Sequence, residues 1–378
     1  MTTKALLITN DFPPVVGGVA RWYERICAAV PAGGVVVLAP RTAGDHGFDV
    51  CQPYKIVRQR GPTSRRLPAR VVQLAILLVR GIATARRERV DAVHIGQLHL
   101  APIGIVARLL QGLPYVLYLH GGEMARYMRF GMVRAVVRRV VRGAALVVVN
   151  SEYTRRYFED LAITNPRTEA LTMSVETDRF RPTLDDGGVR ARYGLDGQRV
   201  ILTVSRLDDY KGHDMVIRAL NKVKRSSGPI RYVIAGRGPE EARLRALAVD
   251  LGCGDDVVFA GHVSEQDLAP LYASCDLFVM PSRPLPCGDF EGFGIVFLEA
   301  GACGKPVIGG RSGGVPEAVL DGVTGVLVNP TDVDELSAAI TKLLSDREEA
   351  TRLGMQGRRR TEQLASAWTA AVARIWSL

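Results

Sequence analysis

The chain has 378 residues, 47% of them hydrophobic and 23% charged, which is ordinary for a globular protein and predicts two domains of about 150 to 200 residues. Its six cysteines are scattered and its most apolar window, Val71 to Val79, is too short to span a bilayer, so the sequence disfavours a disulfide framework, a zinc site and a transmembrane helix. The positive charge is uneven, because residues 1–180 carry 25 Lys and Arg against 13 Asp and Glu, whereas residues 181–378 carry 24 against 26.

The N-terminal half alternates short apolar runs with helical patterns, which predicts a parallel sheet with connecting helices. The first strand, Lys4 to Asn10, starts without the apolar core of a signal peptide, so we expect a cytoplasmic protein. Further strands of this half are expected at GGVVVLAP, KIVRQR, DAVHIG, PYVLYLHGGE and ALVVVNS.

Two glycines, Gly17 and Gly18, stand between the first strand and the first predicted helix. A helix start presents unpaired backbone N–H groups, and a residue without a side chain lets an anion approach them. The pair therefore predicts either an anion-accepting helix start or a plain turn from strand to helix.

A basic amphipathic helix is predicted within residues 124–144, where arginines 126, 129, 134, 138, 139 and 142 alternate with Met, Phe and Val. Such a helix is typical of a membrane surface, but it is also typical of a surface helix that packs on a sheet. The excess of positive charge in this half favours an anionic partner. Nucleic acid is disfavoured, because aromatic platforms are few and no nucleic-acid motif is present.

The segment from Pro166 to Pro182 is polar and bounded by prolines, which predicts the linker between the domains. Beyond it, a strand ends at Ser205, and Arg206 and Lys211 follow on one loop. Two cations at the carboxyl end of a strand are placed to hold a diphosphate, although solvated loop cations are common.

A later strand is followed by a G-x-G turn that imitates a dinucleotide-binding fingerprint. Gly236 and Gly238 occupy its first two positions, but Glu241 stands where the third glycine is required. The strict fingerprint therefore fails, and an NAD-dependent dehydrogenase is disfavoured.

The stretch from Pro281 to Glu317 has the pattern strand, loop, helix, strand, loop, helix. Glu291 and Glu299 are eight positions apart, roughly two helical turns, so a helix that starts near Gly292 would carry both along one side. A helix start that accepts phosphate between two carboxylates indicates a nucleotide sugar as ligand. The alternative for such a pair of glutamates is a solvated helix face.

The segment from Glu291 to Glu299, EGFGIVFLE, resembles the signature of the retaining glycosyltransferases of family 4, a glutamate, seven residues and a second glutamate. The N-terminal NDFPP…GG is similar to that of the phosphatidylinositol mannosyltransferases of this family, and the likeness covers nearly the whole chain. The resemblance implies the GT-B fold, in which two Rossmann-like α/β domains face a cleft. Residues 1–178 with 362–378 would form the acceptor-side domain, to which the C-terminal helix crosses back, and residues 179–361 would form the domain that binds the nucleotide sugar.

The resemblance also implies roles for single residues. Catalytic roles fall to His120 beside the anomeric centre, to Arg206 and Lys211 on the leaving diphosphate, and to Glu291 on the sugar hydroxyls. Glu299 would bind the ribose hydroxyls. The remaining donor-binding positions are Gly17, Gly18, Gly238, His262, Val263, Gly292, Phe293, Gly294, Ile295 and Val296.

The function implied is the transfer of mannose from GDP-mannose, without a metal ion and with retention at the anomeric carbon. The acceptor would be a hydroxyl of an anionic, membrane-surface molecule such as a phosphatidylinositol-type glycolipid, which would place the protein at the inner face of the cytoplasmic membrane. Two alternatives stay open: a UDP-sugar-dependent transferase that acts on a soluble acceptor, a polysaccharide or a natural-product precursor, and a nucleotide-sugar epimerase of related fold.

Overall fold

The structure, a computed structural model, describes residues 3–15, 17–60, 67–121, 128, 130–183 and 188–377, with the backbone alone at residues 67–70. It divides into two compact units, Met1–Met173 with Ala367–Leu378, and Ser174–Ser366. The domain boundaries expected from the sequence lay at residues 178 and 362.

The first unit is built on a parallel sheet whose strands are β1 (Ala5–Ile8), β2 (Val35–Pro40), β3 (Lys55–Gln59), β4 (Ala92–Ile95), β5 (Tyr115–Leu119), β6 (Leu146–Val149) and β7 (Thr168–Ala170). Among the described residues the strand order is β3-β2-β1-β4-β5-β6-β7. The central strands are continuous apolar runs because helices cover both faces of a parallel sheet.

The helices of this unit are α1 (Gly18–Ala29), α2 (Asp45–Asp49), α3 (Leu67–Glu88), α4 (Ala101–Gln111), α5 (Gly131–Gly143) and α6 (Glu152–Asp160). Ser151 caps α6, since its side chain accepts a hydrogen bond from the Thr154 N–H. Arg126 and Arg129 of the expected basic helix lie outside the described residues. In the part of the chain that the structure covers, no helix combines the length and apolarity needed to cross a membrane.

The second unit has the strands β8 (Arg199–Val204), β9 (Ile230–Ala235), β10 (Val257–Gly261), β11 (Leu277–Met280), β12 (Val307–Gly310) and β13 (Val326–Val328). Its helices are α7 (Val189–Arg192), α8 (His213–Ser227), α9 (Glu241–Asp250), α10 (Glu265–Ser274), α11 (Ile295–Ala302), α12 (Val315–Ala318) and α13 (Val333–Ser345), and α14 (Arg347–Trp376) begins here. The strands form a parallel sheet in the order β10-β9-β8-β11-β12-β13. Two Rossmann-like domains, as the sequence predicts, are confirmed.

Both sheets reverse their strand order at one point, between β1 and β4 in the first unit and between β8 and β11 in the second. At such a switch point the loops that follow the two neighbouring strands turn in opposite directions and leave a crevice at the carboxyl ends of the strands. Open α/β sheets bind ligands in this crevice, so each unit has one place where its functional residues are expected.

The end of the chain packs on the first unit, as expected for the C-terminal helix. Trp368 Nε1 donates to the Arg25 carbonyl at 3.2 Å, and Trp376 Nε1 donates to the Gly34 carbonyl at 3.1 Å. The Trp376 ring lies 4.0 Å from the His94 ring, centroid to centroid, and both side chains are buried. The side chains of Trp368, Val372, Ile375 and Trp376 are therefore part of the core of this unit.

The linker expected from Pro166 to Pro182 is wrong over part of its length. Thr168–Ala170 form β7, which pairs in parallel with β6 through Val147, Val148 and Val149. A three-residue edge strand is too short to produce a recognisable apolar pattern, and its polar neighbours made the segment resemble a connection.

The anchoring of the C-terminal helix gives a testable prediction. Trp376→Ala removes a buried ring and its hydrogen bond to the Gly34 carbonyl, which still accepts from the Ala5 N–H, so we expect a loss of about 3 kcal/mol or more in the stability of the first unit. Met355→Ala, on the exposed side of the same helix, should change stability by less than about 0.5 kcal/mol. Thermal unfolding of the two variants checks this, and equal melting temperatures would contradict it.

Candidate functional site

An ion pair lies at the switch point of the second unit. Lys211 follows β8 and Glu291 follows β11, and the Lys211 Nζ is 2.5 Å from the Glu291 Oε2. Each side chain is only 13% exposed. The structure therefore brings together two residues that the sequence singles out separately, at the place where this fold binds ligands.

The environment of Lys211 keeps its side chain charged. Burial by itself lowers the pKa of Lys211, but the Glu291 carboxylate and the neighbouring Tyr210 outweigh burial and raise the pKa well above its ordinary value. The ammonium also lies over the Tyr210 ring, 4.8 Å from the ring centroid. A fixed cation is thus available at this position across the neutral pH range.

Arg206 lies on the same loop, with 66% of its side chain exposed and its Nε 3.2 Å from Asp208. Its backbone is held by His213, a buried histidine whose Nε2 is 2.9 Å from Ser205 Oγ and 3.4 Å from the Arg206 carbonyl oxygen. Burial lowers the pKa of His213 to about 4, so the ring is neutral at pH 7. The guanidinium is therefore exposed, on a backbone that is fixed.

The G-x-G turn after β9 has a packing explanation. A Cβ at Gly236 would lie 1.9 Å from the Ser205 carbonyl oxygen, and one at Gly238 would lie 2.4 Å from the Leu207 carbonyl oxygen. Both glycines are required because this turn packs directly on the loop that carries Arg206. Gly238 thus supports the loop through its backbone, and its expected contact with a donor stays a prediction.

The helix that follows Glu291 begins later than the sequence suggests. The expectation of a helix starting near Gly292 is wrong, because α11 begins at Ile295 and Gly294 precedes it in the left-handed conformation, with φ of 92°. Glu291 is therefore a loop residue, and Glu291 and Glu299 do not share one helical side. Phe293 and Ile295 point into the protein, so only the backbone of this segment is available to an anion at the helix start.

Glu299 is buried inside α11, with 3% of its surface exposed. The Tyr272 hydroxyl, on α10, donates to Glu299 Oε2 at 2.7 Å, and Tyr272 is itself fully buried. The alternative of a solvated helix face is wrong for this residue. A buried carboxylate held by a tyrosine is fixed in orientation and suited to accept hydrogen bonds from a ligand.

The loop after β12 holds the backbone around Glu291. The Gly314 N–H donates to the Glu291 carbonyl at 2.9 Å, and a Cβ at Gly314 would lie 2.0 Å from the Gly292 carbonyl oxygen. Gly313 adopts φ of 57°, and a Cβ there would lie 2.4 Å from the Glu291 carbonyl oxygen. Three other donor-binding positions were expected in this unit. Val296 is half-buried in the first turn of α11. His262 and Val263 follow β10 at the edge of the sheet, where His262 is exposed and Val263 is half-buried.

A polar cluster occupies the switch point of the first unit. The Asn10 N–H donates to Gln97 Oε1 at 3.0 Å, Gln97 Nε2 donates to Thr9 Oγ1 at 2.9 Å, and Asn10 Nδ2 is 2.8 Å from His99 Nε2. These residues follow β1 and β4 directly. Amides and an imidazole can both donate to and accept from hydroxyl groups, so the cluster is suited to a polyhydroxylated ligand.

Gly17 and Gly18 stand at the start of α1 in the same unit. α1 has no side-chain cap and no acidic residue in its first turn, and a Cβ at Gly17 would meet nothing within 4 Å among the described residues. The helix start is therefore open, as an anion-accepting site requires.

His120 follows β5 and lies beside the same strands. Its Nε2 is 2.7 Å from the Tyr23 hydroxyl and 3.0 Å from the Gly96 carbonyl oxygen. Burial lowers the pKa of His120 to about 4, although the Gly96 carbonyl raises it, so the imidazole is neutral at pH 7. Trp22 packs edge-on against the ring, 5.1 Å between centroids. His120 is thus a rigid, neutral hydrogen-bonding group.

The sequence did not single out several residues of these two sites: Asn10, Gln97 and His99 in the first unit, and His213 and Tyr272 in the second. A usable signal existed for the first three, since Asn10 is the polar last residue of a predicted strand and Gln97 and His99 follow another one shortly. For the described residues, no group of three or more His, Cys, Asp and Glu is placed to hold a metal ion.

Two family models match the chain, one for each unit. A model of glycosyltransferase family 4 matches residues 16–179, and a model of glycosyl transferases group 1 matches residues 189–360. The first model begins after β1 and includes β4, and the second includes both strands of the switch point of its unit, β8 and β11.

Curated relatives match over nearly the whole length. The chain is 38% identical to the GDP-mannose-dependent alpha-(1-6)-phosphatidylinositol monomannoside mannosyltransferase of Mycolicibacterium smegmatis, over 93% of this chain and 92% of that protein. It is 33% identical to the corresponding enzyme for the monoacylated acceptor from Corynebacterium glutamicum, over 95% of this chain and 93% of that protein.

Solved structures share the fold. The chain superposes on Anabaena HepE in complex with UDP-glucose with a TM-score of 0.83 at 22% identity, covering 99% of this chain and 100% of that one. It also superposes on sucrose-phosphate synthase from Thermosynechococcus elongatus with a TM-score of 0.83 at 22% identity, covering 99% and 98%. At this identity the likeness confirms the expected GT-B type of fold.

The Lys211–Glu291 pair gives a testable prediction. Glu291→Gln leaves a buried ammonium without its counter-charge, so we expect a loss of about 3 kcal/mol in the stability of the second unit. The double variant with Lys211→Met should recover most of that loss. Because the pKa of Lys211 is raised in the folded state, the contribution of the pair is complete at pH 7 and is lost only as the pH rises above the ordinary value of 10.5.

Denaturant unfolding of the single and double variants at pH 7 and pH 9 measures this effect. Glu241→Gln is the matched control, because it removes a surface pair with Arg245 on α9 and should cost less than about 1 kcal/mol. A single variant at Glu291 as stable as this control would contradict the prediction.

Proposed function

Since the chain belongs to glycosyltransferase family 4 and is a nucleotide-sugar-dependent hexosyltransferase, we propose that its donor is GDP-mannose and that its acceptor is an inositol-containing glycolipid. The observation that carries the proposal is the Lys211–Glu291 pair at the switch point of the second unit, in a chain that matches GDP-mannose-dependent relatives over more than nine tenths of its length. The relatives, which act on phosphatidylinositol mannosides, support the choice of donor and acceptor. An epimerase is not favoured.

Charge on the leaving group is the main chemical problem in this reaction. Breaking the bond between mannose and diphosphate places negative charge on the phosphate, and positioned cations and N–H groups stabilise it. Lys211 supplies a largely buried cation, Arg206 supplies an exposed one, and the start of α11 supplies backbone N–H groups. Such a set serves without a metal ion, so we propose a metal-independent transfer.

The two glutamates take different parts of the donor in this proposal. Glu291, next to Lys211, accepts hydrogen bonds from mannose hydroxyls, and Glu299, held by Tyr272, accepts those of the ribose. Glu291 positions the sugar and does not attack it, and retention follows from attack on the face that the diphosphate leaves. His120 is neutral and is assigned to a hydroxyl of the transferred sugar.

The outer side of α5 supports contact with a membrane surface. Met132 is 82% exposed, and Phe130 and Val136 are also exposed, beside the exposed arginines Arg139 and Arg142. Apolar side chains next to cations are what an interfacial helix presents to anionic lipid. We propose that this side brings the protein to the lipid that carries its acceptor.

Transfer assays test the donor and acceptor. GDP-mannose with a phosphatidylinositol monomannoside in vesicles should give product with the α configuration, with EDTA as well as with magnesium, whereas UDP-glucose should not.

Glu299→Gln should lower kcat/KM by about 10- to 100-fold, because a charged acceptor of ribose hydroxyls is lost. Glu348→Gln, on the exposed side of α14, is the matched control and should leave kcat/KM unchanged.

The proposal fails if UDP-glucose supports transfer and GDP-mannose does not, or if only soluble acceptors are used. Near-normal turnover by a folded Glu299→Gln protein would remove the ribose assignment alone.

Membrane contact is tested by vesicle sedimentation. Arg139→Glu with Arg142→Glu should weaken binding to vesicles of phosphatidylcholine and anionic phosphatidylinositol by more than about tenfold, since each cation near such a surface contributes about 1 kcal/mol. The effect should shrink as salt is raised. The matched control reverses Arg218 and Arg225, two exposed cations of α8 in the second unit. Equal loss in both double variants would show that only net charge matters and would contradict the assignment to α5.

A further inference from the structure

Arg283 lies just beyond β11 and is bound to the segment that carries Lys211. Its guanidinium donates to both carboxylate oxygens of Asp214, at 2.9 and 3.2 Å, and to Asp209 Oδ1 at 2.7 Å. Its backbone N–H donates to the Tyr210 carbonyl at 2.8 Å. Only 13% of the Arg283 side chain is exposed. Arg283 is therefore bound to the chain on both sides of Lys211, at Asp209 and Tyr210 before it and at Asp214 after it.

The same residue belongs to the loop that leads to Glu291. Lys211 ends the single 3-10 turn that starts at Asp209, and Asp214 lies in the first turn of α8. Arg283 thus connects the loop after β8 to the loop after β11, the two loops whose charged residues meet at the switch point. Its contacts therefore join the segment that carries Lys211 to the loop that leads to Glu291.

We propose that Arg283 is a positioning residue of the diphosphate site: it holds Lys211 where a donor diphosphate is bound, without touching the donor. The inference deepens the proposed function and rests on it, because it takes the diphosphate of the donor as the ligand of Lys211.

The charges around Lys211 explain why such a residue is needed. Asp209 and Asp214 stand on either side of Lys211 in the chain, and both carboxylates are paired with the Arg283 guanidinium. Burial disfavours the charged form of Arg283, but Asp214 and then Asp209 raise its pKa, so it remains a cation. Arg283 therefore stays charged and holds the two aspartates that stand before and after Lys211.

The geometry requires an arginine. Arg283 Nη1 contacts both oxygens of Asp214 while Nη2 reaches Asp209, a span between two rigidly spaced nitrogens that the single nitrogen of a lysine does not reproduce. Asp209 also pairs with Arg243 at 3.1 Å, but Asp214 is buried and its ion pair in the described structure is with Arg283. Arg283→Lys therefore keeps the positive charge but loses the ion pair with one of the two aspartates.

Calorimetric titration of the full chain with GDP and with GMP tests the inference, because the two ligands differ only in the β-phosphate. In Arg283→Lys the preference for GDP over GMP should fall about fivefold or more, while GMP affinity stays within about twofold. Lys211→Met should lower the preference at least as much. The double variant should show no further fall beyond Lys211→Met, since Arg283 acts through Lys211.

A merely structural Arg283 gives a different result. Equal weakening of GDP and GMP, an unchanged preference, or effects that multiply in the double variant would each overturn the inference. If Arg283→Lys does not fold, Asp209→Asn takes its place. Asp209 is 44% exposed, and this variant removes the ion pair that joins Arg283 to the chain before Lys211. The preference for GDP over GMP should then fall as well, and an unchanged preference would overturn the inference.

The nucleotide preference of the unaltered protein tests the proposed function itself. If it binds UDP and not GDP, the proposed donor fails, and the same comparison made with UDP and UMP still tests Arg283. If it binds GDP no more tightly than GMP, the proposed function and this inference fail together. If it prefers GDP and Arg283→Lys does not change that preference, only the role of Arg283 fails.

Discussion

A buried ion pair between two loops, Lys211 with Glu291, is the interaction on which the site of the second unit depends. The two residues are 80 positions apart and meet because β8 and β11 are neighbours whose carboxyl ends share one edge of the sheet. Removing two charges from water is costly, and their attraction offsets that cost only where both are held in place. The loops around the pair must therefore be rigid before a ligand arrives.

Close approach of backbones provides this rigidity, and it explains the glycines. A Cβ at Gly212 would lie 2.2 Å from the Pro281 carbonyl oxygen, and one at Gly314 would lie 2.0 Å from the Gly292 carbonyl oxygen. No side chain fits at either position, so the loops that follow three adjacent strands pack main chain against main chain. The same absence of side chains leaves N–H groups accessible to a phosphate at the start of α11. Packing and ligand binding thus both require glycine at these positions, because both need a residue without a side chain.

Much of this arrangement could be predicted from the sequence, and the failures have a common cause. Both sheets could be predicted because their strands are short apolar runs bounded by turn residues. Glu299 could be found from its spacing to Glu291, but the start of α11 could not, since a glycine-rich loop with apolar residues imitates a first helical turn. Tyr272 and Arg283 could not be found, because their contacts are with residues 27 and 69 positions away. Long-range contacts leave no local pattern.

Thermal unfolding in the presence of single nucleotides tests the central proposal most directly, namely that the second unit binds GDP with the diphosphate at its switch point. A ligand that binds only the folded state raises the melting temperature by mass action, by about 2.7 kcal/mol of stability at a hundredfold excess over its Kd. GDP is expected to raise the melting temperature with or without magnesium, and UDP at the same concentration is not. Stabilisation by UDP alone, or by neither nucleotide, would contradict the account.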